Sequence, residues 1–221
     1  MYKKTKQFLF TVSLIAGMTA NGVAADKLKS FDHAAELTSQ AKTILFQELN
    51  IAKVPNSGHQ QIVCLAENIY FEARAESMEG KAGVANVTRN RVLDKRWPST
   101  YCEVVQQGPV RESWKTRQHA DLPDEERIYY PRKHRCQFSW YCDGKKDIVW
   151  VSYMDGTIIE ANMMAWRDSI NVALFVMSEQ IGDNTDGADH YYNYNISNPY
   201  WVSAMDETFI IGNHRFMKEK R

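Results

Sequence analysis

Residues 64–80 read CLAENIYFEARAESMEG, a helical pattern with a carboxylate at the border of its apolar face. Apolar residues recur at helical spacing, and Glu72 follows Ile69 by three positions. A carboxylate beside Ile69 and Phe71 is costly to ionise, so we expect its pKa to be raised. A raised carboxyl pKa suits a general acid working near neutral pH. The alternative is an amphipathic helix with a solvated acidic edge.

Two successive helices are predicted around this carboxylate. The first covers residues 60–76 and places Asn68 and Glu76 one turn before and one turn after the acid. The second runs to about residue 93, because Ser77 has the character of an N-cap. Gly83, inside the second helix, predicts a close contact with another helix.

The remaining pattern alternates between loops, one long helix and short extended segments. Residues 109–135 are charged and irregular, which indicates a flap or a long surface loop. The other predicted elements are a short helix opened by Thr100 and ending at Gly108, a short strand at 137–141, a long amphipathic helix at 158–180, and extended segments at 190–192 and 209–216.

The N-terminus is organised as a secretory signal over residues 1–25. Lys3, Lys4 and Lys6 precede an apolar run, and small residues before Asp26 suit cleavage at that point. An uncleaved membrane anchor is the alternative, but the run is shorter than the roughly 20 residues of a typical span. We therefore expect export to the periplasm or the exterior, with no stable membrane span after cleavage.

Residues 26–58 are predicted to form an N-terminal helical extension or linker, because they are polar and end in the loop signal Pro-Asn-Ser-Gly. The main domain is then residues 59–221. Removing three lysines and no acids from 27 basic and 27 acidic residues leaves a formal charge of −3. That balance does not favour nucleic-acid binding. The basic residues 132–135 are interpreted as a solvated loop, with contact to an anionic polymer as the alternative.

Four cysteines follow the predicted signal: Cys64, Cys102, Cys136 and Cys142. An even number in an exported chain predicts two disulfides, and all three connectivities stay open. A zinc site is disfavoured because the sequence has no C-x-x-C pair. A Cys–His nucleophile would leave an odd thiol in an oxidising compartment.

An ordered set of short motifs runs along the chain. Its blocks are residues 70–76, Gly80, Ala85, residues 90–92, Pro98, Cys102, residues 104–105, 137–140, 143–144, 187–188, 190–192, Pro199, Trp201, Gly212, His214 and Phe216. Together they resemble the motifs of the SleB-type cell wall hydrolases, the spore cortex-lytic enzymes and their relatives, over about residues 60–217. The family usually has glycine at the position of Ala75, and alanine suits this position only if its φ is negative.

The resemblance implies an α+β, mainly helical, lysozyme-like or lytic transglycosylase-like single catalytic domain. It implies cleavage of peptidoglycan glycan strands between N-acetylmuramic acid and N-acetylglucosamine, with Glu72 as the catalytic acid. The implied reaction is lytic transglycosylation, with no cofactor and no metal. We expect a monomer whose partner is the peptidoglycan strand.

Seven further residues are candidates for substrate contacts. Tyrosine hydroxyls can orient the acid or bind an N-acetyl group, tryptophans can stack on sugars, and Gln137 and Ser139 can bind acetamido groups. Core packing is the equal alternative for the tyrosines, and helix support or binding to Arg74 or Arg91 is the alternative for Glu76. The candidates are Tyr191, Tyr192, Gln137, Ser139, Trp140, Trp201 and Glu76.

Two other functions remain open at this point. One is a zinc amidase acting on the muramoyl–L-alanine bond, for which His190 and His214 are the available histidines, without a recognised ligand spacing. The other is a non-catalytic peptidoglycan-binding module, which would keep the aromatic platforms but need no acid.

Overall fold

A computed structural model describes residues 56–149 and 159–220 of the chain. The predicted signal at 1–25 and almost all of the predicted extension at 26–58 lie outside the described residues. The helices are α1 (Asn56–Ala73), α2 (Met78–Leu93), α3 (Tyr101–Val105), α4 (Trp114–Arg117) and α5 (Glu160–Met177). The strands are β1 (Val110–Glu112), β2 (Tyr129–Pro131), β3 (His190–Asn193), β4 (Met205–Ile211) and β5 (His214–Glu219), and 3₁₀ turns cover Asp124–Glu126, Ser139–Cys142 and Tyr200–Ala204.

The main core lies where α1, α2 and α5 pack together. Helices α1 and α5 present apolar faces at helical spacing, whereas α2 is buried continuously over residues 80–88. Burial of these surfaces is the main source of helix stability. The predicted start of α2 is confirmed, since the Ser77 hydroxyl accepts a hydrogen bond from the Gly80 amide at 3.2 Å. The fully buried side chains of this core include Leu65, Ile69, Tyr70, Trp166 and Ile170.

A second layer is an antiparallel sheet in the order β3-β5-β4. Tyr191 pairs with Phe216 across β3 and β5, and Phe216 packs with Val87 of α2. Gly83 permits this approach, because a Cβ there would lie 2.5 Å from Phe216 Cζ. The expected close contact at Gly83 is therefore present, but its partner is a ring of the sheet instead of another helix.

The first helix ends earlier than its pattern predicted. It stops at Ala73, and residues 74–76 form a turn before the N-cap of α2. Ser77 must be extended to cap α2, with φ −61° and ψ 166°, so the chain has to leave the helix beforehand. Ala75, in that turn, is not among the described residues with positive φ, so alanine fits the position without strain.

All four cysteines form disulfides, as predicted, with the pairs Cys64–Cys102 and Cys136–Cys142. The predicted strand at 137–141 is wrong, and the Cys136–Cys142 disulfide gives the reason. Its Cα atoms lie 6.1 Å apart across a separation of six residues, whereas an extended chain of that length spans about 20 Å. The segment therefore closes into the 3₁₀ turn Ser139–Cys142.

Residues 109–135 are also more ordered than the predicted irregular loop. Strands β1 and β2 pair antiparallel as a hairpin, and α4 and one 3₁₀ turn lie between them. The long helices and the separate antiparallel sheets confirm a mainly helical α+β architecture. None of the helices in the described ranges is long and apolar enough to cross a bilayer.

Candidate active site

Glu72 lies in the last turn of α1, where the helix meets the sheet layer and the Ser139–Cys142 turn. The residue is partly buried. Burial raises the pKa of its carboxyl from 4.5 to about 7, against the opposing influences of the Tyr191 hydroxyl and the Arg91 guanidinium. The carboxyl can therefore hold a proton near neutrality and release it without a large energetic cost.

Tyr191 approaches the acid from strand β3. Its ring packs against His214, Phe216 and Phe138, with centroid distances of 5.3, 5.9 and 6.5 Å. Its hydroxyl is buried, and desolvation, reinforced by the Glu72 charge, raises its pKa well above 10. The hydroxyl interacts with Glu72 and Asn68, but it makes no hydrogen bond of regular geometry to the described residues. Tyr191 thus combines both predicted roles, core packing through the ring and contact with the acid through the hydroxyl.

Asn68 connects the acid's helix to two neighbouring segments. Its amide nitrogen donates to Thr88 Oγ1 at 3.1 Å, and its amide oxygen accepts from Trp140 Nε1 at 3.0 Å. The Trp140 ring stacks on Phe71 with a centroid distance of 4.6 Å. Trp140 therefore forms part of the wall beside Glu72. Four-residue spacing from Glu72 was the signal that marked Asn68 in the sequence.

Arg91 is a site residue that sequence reasoning did not assign to the site. It is buried in α2, and its Nε donates to the Asp189 carbonyl oxygen at 2.7 Å. Its guanidinium carbon lies 4.3 Å from the Trp97 ring centroid and 5.2 Å from that of Phe138. Burial lowers the pKa of Arg91 to about 10, so it remains cationic at neutral pH. A buried cation near Glu72 stabilises the carboxylate formed when the acid gives up its proton.

Glu76 does not continue the helical row of Glu72. Its carboxylate accepts hydrogen bonds from the side chain and the backbone amide of Asn213, at 2.8 and 3.3 Å. The partner is thus the turn between β4 and β5, and the predicted pairing with Arg74 or Arg91 is wrong. Gly212 has φ +58° in this turn, and a Cβ there would collide with the Glu76 carboxylate. Glu76 therefore connects the turn between β4 and β5 to the chain just after α1 through hydrogen bonds.

Tyr192 and Trp201 lie away from the acid. Successive residues of a strand point to opposite faces, so Tyr192 leaves β3 on the side opposite Tyr191. Its ring contacts Trp201 at a centroid distance of 5.7 Å, and Trp201 also packs on His190 at 5.4 Å. These two candidates form a separate aromatic cluster with His190. Gln137 and Ser139 are exposed on either side of buried Phe138.

His190 and His214, the two histidines available for a zinc site, contact different groups. His190 Nδ1 lies 2.8 Å from an Asp189 carboxylate oxygen, and His214 is buried between Tyr191 and Phe216. Within the described parts of the chain, no group of three or more His, Cys, Asp or Glu side chains could hold a metal ion.

A groove of about 650 Å³ opens on the other side of Asp189, lined in part by Asp94, Arg96 and Lys218. Glu72 and Tyr191 do not line it. Arg96 in this groove contacts the carboxylates of Asp94 and Asp189, and also that of Glu219, so its charge is compensated. We place the candidate chemistry at Glu72 and not in this groove, because Glu72 is the carboxyl whose pKa lies near neutrality.

Comparison with known protein families gives a match over residues 75–217, to the family described as cell wall hydrolases. The chain belongs to the cell wall hydrolase family. The matched segment holds Arg91, Trp140 and Tyr191, and it begins three residues after Glu72. No functionally curated protein matches the chain.

Two solved structures resemble this hydrolase. One is the catalytic domain of the germination-specific lytic transglycosylase SleB from Bacillus anthracis, with 25% identity, a TM-score of 0.44, and coverage of 75% of this chain and 100% of that chain. The other is the catalytic domain of the Bacillus cereus SleB protein, with 25% identity, a TM-score of 0.40, and coverage of 75% and 95% respectively.

Proposed function

We propose that this cell wall hydrolase is exported and cleaves peptidoglycan glycan strands between N-acetylmuramic acid and N-acetylglucosamine, as a lytic transglycosylase with Glu72 as acid and base. The observation that carries the proposal is the Glu72 carboxyl, which is desolvated to a pKa of about 7 beside the Arg91 cation and the Tyr191 hydroxyl. This is the combination that a group needs if it donates a proton and then takes one back.

A single carboxyl can both donate and accept the proton that this reaction transfers. Glu72 gives its proton to the glycosidic oxygen as the bond to muramyl C1 breaks. The resulting carboxylate, stabilised by Arg91, then accepts the proton of the muramyl C6 hydroxyl while that oxygen bonds to C1. The products are a 1,6-anhydro-muramyl end and a free N-acetylglucosamine hydroxyl, and no water is consumed. Because the nucleophile belongs to the substrate, its effective concentration is high.

The surroundings of Glu72 support transglycosylation over a two-carboxylate mechanism. Retaining and inverting glycosidases pair two carboxyl groups, roughly 5–5.5 Å or about 6.5–9.5 Å apart. Among the described residues, the charged group that shifts the Glu72 pKa is Arg91 and not a second carboxylate. The carboxylate of Glu76, four residues after Glu72, accepts a hydrogen bond from the Asn213 side chain.

Mass spectrometry of purified peptidoglycan digested with the protein lacking residues 1–25 tests this proposal. We expect products that end in 1,6-anhydro-N-acetylmuramic acid. Reducing-end sugars would contradict transglycosylation and indicate a hydrolytic muramidase or glucosaminidase. Released stem peptides would favour the amidase alternative, and the absence of any product would favour a binding module.

The raised pKa of Glu72 predicts how activity depends on pH. Since the acid must be protonated in the free enzyme, kcat/KM is expected to fall as pH rises through about 7. Tyr191, whose pKa is raised well above 10, does not titrate on this limb. A pH–rate profile on a soluble glycan substrate measures it, and a flat profile between pH 6 and 9 would contradict it.

The same shift is measurable without turnover. A carboxyl with a pKa of about 7 in the folded state and 4.5 when unfolded favours folding in its protonated form. That stabilisation is fully present below about pH 4.5 and is lost as pH rises through 7. Glu72→Gln has no such carboxyl, so its stability relative to the wild type should increase between pH 4.5 and 8. Urea titrations of both proteins at these two pH values give the difference.

A further inference from the structure

The hairpin lobe formed by residues 109–135 buries polar side chains and exposes several large apolar ones. Ser113 and Thr116 are its buried residues, and Arg127 and Glu112 form an internal salt bridge at 2.8 Å. Five of its large apolar side chains are instead 44–62% exposed, and Leu122 is partly buried. An exposed apolar set of this size marks an interaction surface more often than a chance arrangement. The exposed set comprises Val110, Trp114, Ile128, Tyr129 and Tyr130.

Polar contacts hold the lobe without help from those aromatic residues. The Ser113 amide donates to the Ile128 carbonyl at 2.7 Å, and the Ile128 amide lies 3.4 Å from the Thr116 hydroxyl. Arg127 also donates to the Ala120 carbonyl at 3.0 Å. The aromatic side chains can therefore bind a ligand without disrupting the lobe's own packing.

One face of the hairpin combines tyrosine with arginine. Arg111 pairs directly with Tyr130 across β1 and β2, and Arg132 follows Tyr130 by two residues, on the same face. Lys133 comes next and lies beside Gly144. All four residues are exposed. We name Arg111, Tyr130, Arg132 and Lys133 the hairpin ladder.

The cations of the hairpin ladder have no carboxylate partner in the described ranges. Elsewhere in those ranges, Arg96 pairs with Asp189 and Arg215 pairs with Glu207, whereas the exposed Arg74 and Arg167, like the ladder cations, form no salt bridge with a described residue. The Arg132 guanidinium donates one hydrogen bond, from Nε to the Val110 carbonyl oxygen at 3.3 Å. Guanidinium groups without a carboxylate partner on a fixed scaffold are suited to binding carboxylates from another molecule.

The hairpin ladder is at the base of the lobe, next to the wall of the active site. The Arg132 amide donates to the Pro109 carbonyl at 2.8 Å, and the Gln137 amide donates to the Gln107 carbonyl at 2.9 Å. Trp140, three residues beyond Gln137, contacts Asn68 beside the acid. The ladder is therefore joined to the wall beside Glu72 through the short segment 133–139.

We propose that the hairpin ladder binds the carboxylates of the peptidoglycan stem peptides, and so positions a peptide-bearing strand over Glu72. This deepens the proposed function and rests on it. Stem peptides place carboxylates along an otherwise neutral glycan, and tyrosine offers a flat surface for peptide or sugar beside each arginine. The tip of the lobe, Asp124–Glu126, is exposed and acidic. A flat anionic bilayer would be repelled by this tip, whereas separate carboxylates that reach only the base of the lobe would not be.

The test measures binding, not turnover, in a Glu72→Gln background. The probes are insoluble peptidoglycan with intact stem peptides and the same material after its carboxylates have been converted to amides with a carbodiimide and ammonia. Arg111→Gln combined with Arg132→Gln removes two ladder cations, and Arg167→Gln combined with Lys95→Gln removes two exposed cations away from the hairpin that also lack a carboxylate partner among the described residues, as a matched control. Thermal unfolding of each variant verifies folding, and Tyr130→Ala provides a second, uncharged probe of the same face.

We expect the ladder variant to bind intact peptidoglycan about tenfold more weakly, as loss of charge-assisted contacts predicts, with no change on the amidated material. The control variant should bind both materials like the parent. Equal losses on both materials, or no loss on intact peptidoglycan, would overturn the proposal. So would ladder-dependent binding to anionic lipid vesicles in place of stem peptides. These results do not depend on the products of cleavage, so failure of the transglycosylase proposal is detected separately.

Discussion

Replacing Glu72 by glutamine should reduce glycan cleavage by about 10²–10⁴-fold, the usual contribution of a general acid. Glutamine keeps the size of the side chain and its hydrogen-bonding capacity but carries no transferable proton. The buried setting that raises the pKa of the Glu72 carboxyl to about 7 also tolerates a neutral amide. The measurement is release of anhydro-muramyl products from purified peptidoglycan, with thermal unfolding to establish that the variant is folded.

Glu67→Gln is the matched control for this experiment. Glu67 is on the same helix, is partly buried, and is not among the groups that shift the pKa of Glu72. Its variant should keep activity within about twofold, since surface substitutions rarely change a site at a distance. Full activity in a folded Glu72→Gln protein would refute Glu72 as the acid, and equal losses in both variants would indicate a general effect of charge.

Removing the Cys64–Cys102 disulfide should destabilise the protein by about 4 kcal/mol, and removing Cys136–Cys142 by about 2.5 kcal/mol. The difference follows from loop length, because the bonds close sequence separations of 38 and 6 residues. The longer loop loses more conformational entropy in the unfolded chain when it is cross-linked. The first bond also ties α1 directly to α3, and both of its cysteines are buried.

Equilibrium urea unfolding of the paired variants Cys64→Ala/Cys102→Ala and Cys136→Ala/Cys142→Ala measures both effects. Each variant retains the other bond, so each serves as the control for general effects of cysteine removal. Reduction of the wild type should cost at least as much as the larger single loss. A greater loss from the Cys136–Cys142 variant would contradict the loop-length argument.

Local sequence signals were sufficient for several elements. The helix Met78–Leu93 was predicted with its Ser77 cap, because a cap and an apolar period act within a few residues. The border position of Glu72 followed from its spacing to Ile69 in the same way, and the structure places it in a desolvated setting. Ser139–Cys142 was not predictable from its alternating pattern, since the choice of disulfide partner decides its conformation.

The groups that surround Glu72 depend on the tertiary structure. Tyr191 and Tyr192 are neighbours in sequence, and strand alternation requires that only one of them face the acid, but the choice depends on how β3 docks against α2. Arg91 became a site residue because Trp97, Phe138 and the Asp189 carbonyl enclose its guanidinium.

The sequence by itself therefore determined the helix that carries the acid, the family resemblance, and the presence of two disulfides. The tertiary structure decided which tyrosine meets Glu72, which cation balances it, which cysteines pair, and that Glu76 fastens the Asn213 turn. The physical reason is the distance along the chain over which each interaction acts. Helix periodicity and capping act between residues a few positions apart, whereas desolvation and charge pairing act between groups that only packing brings together.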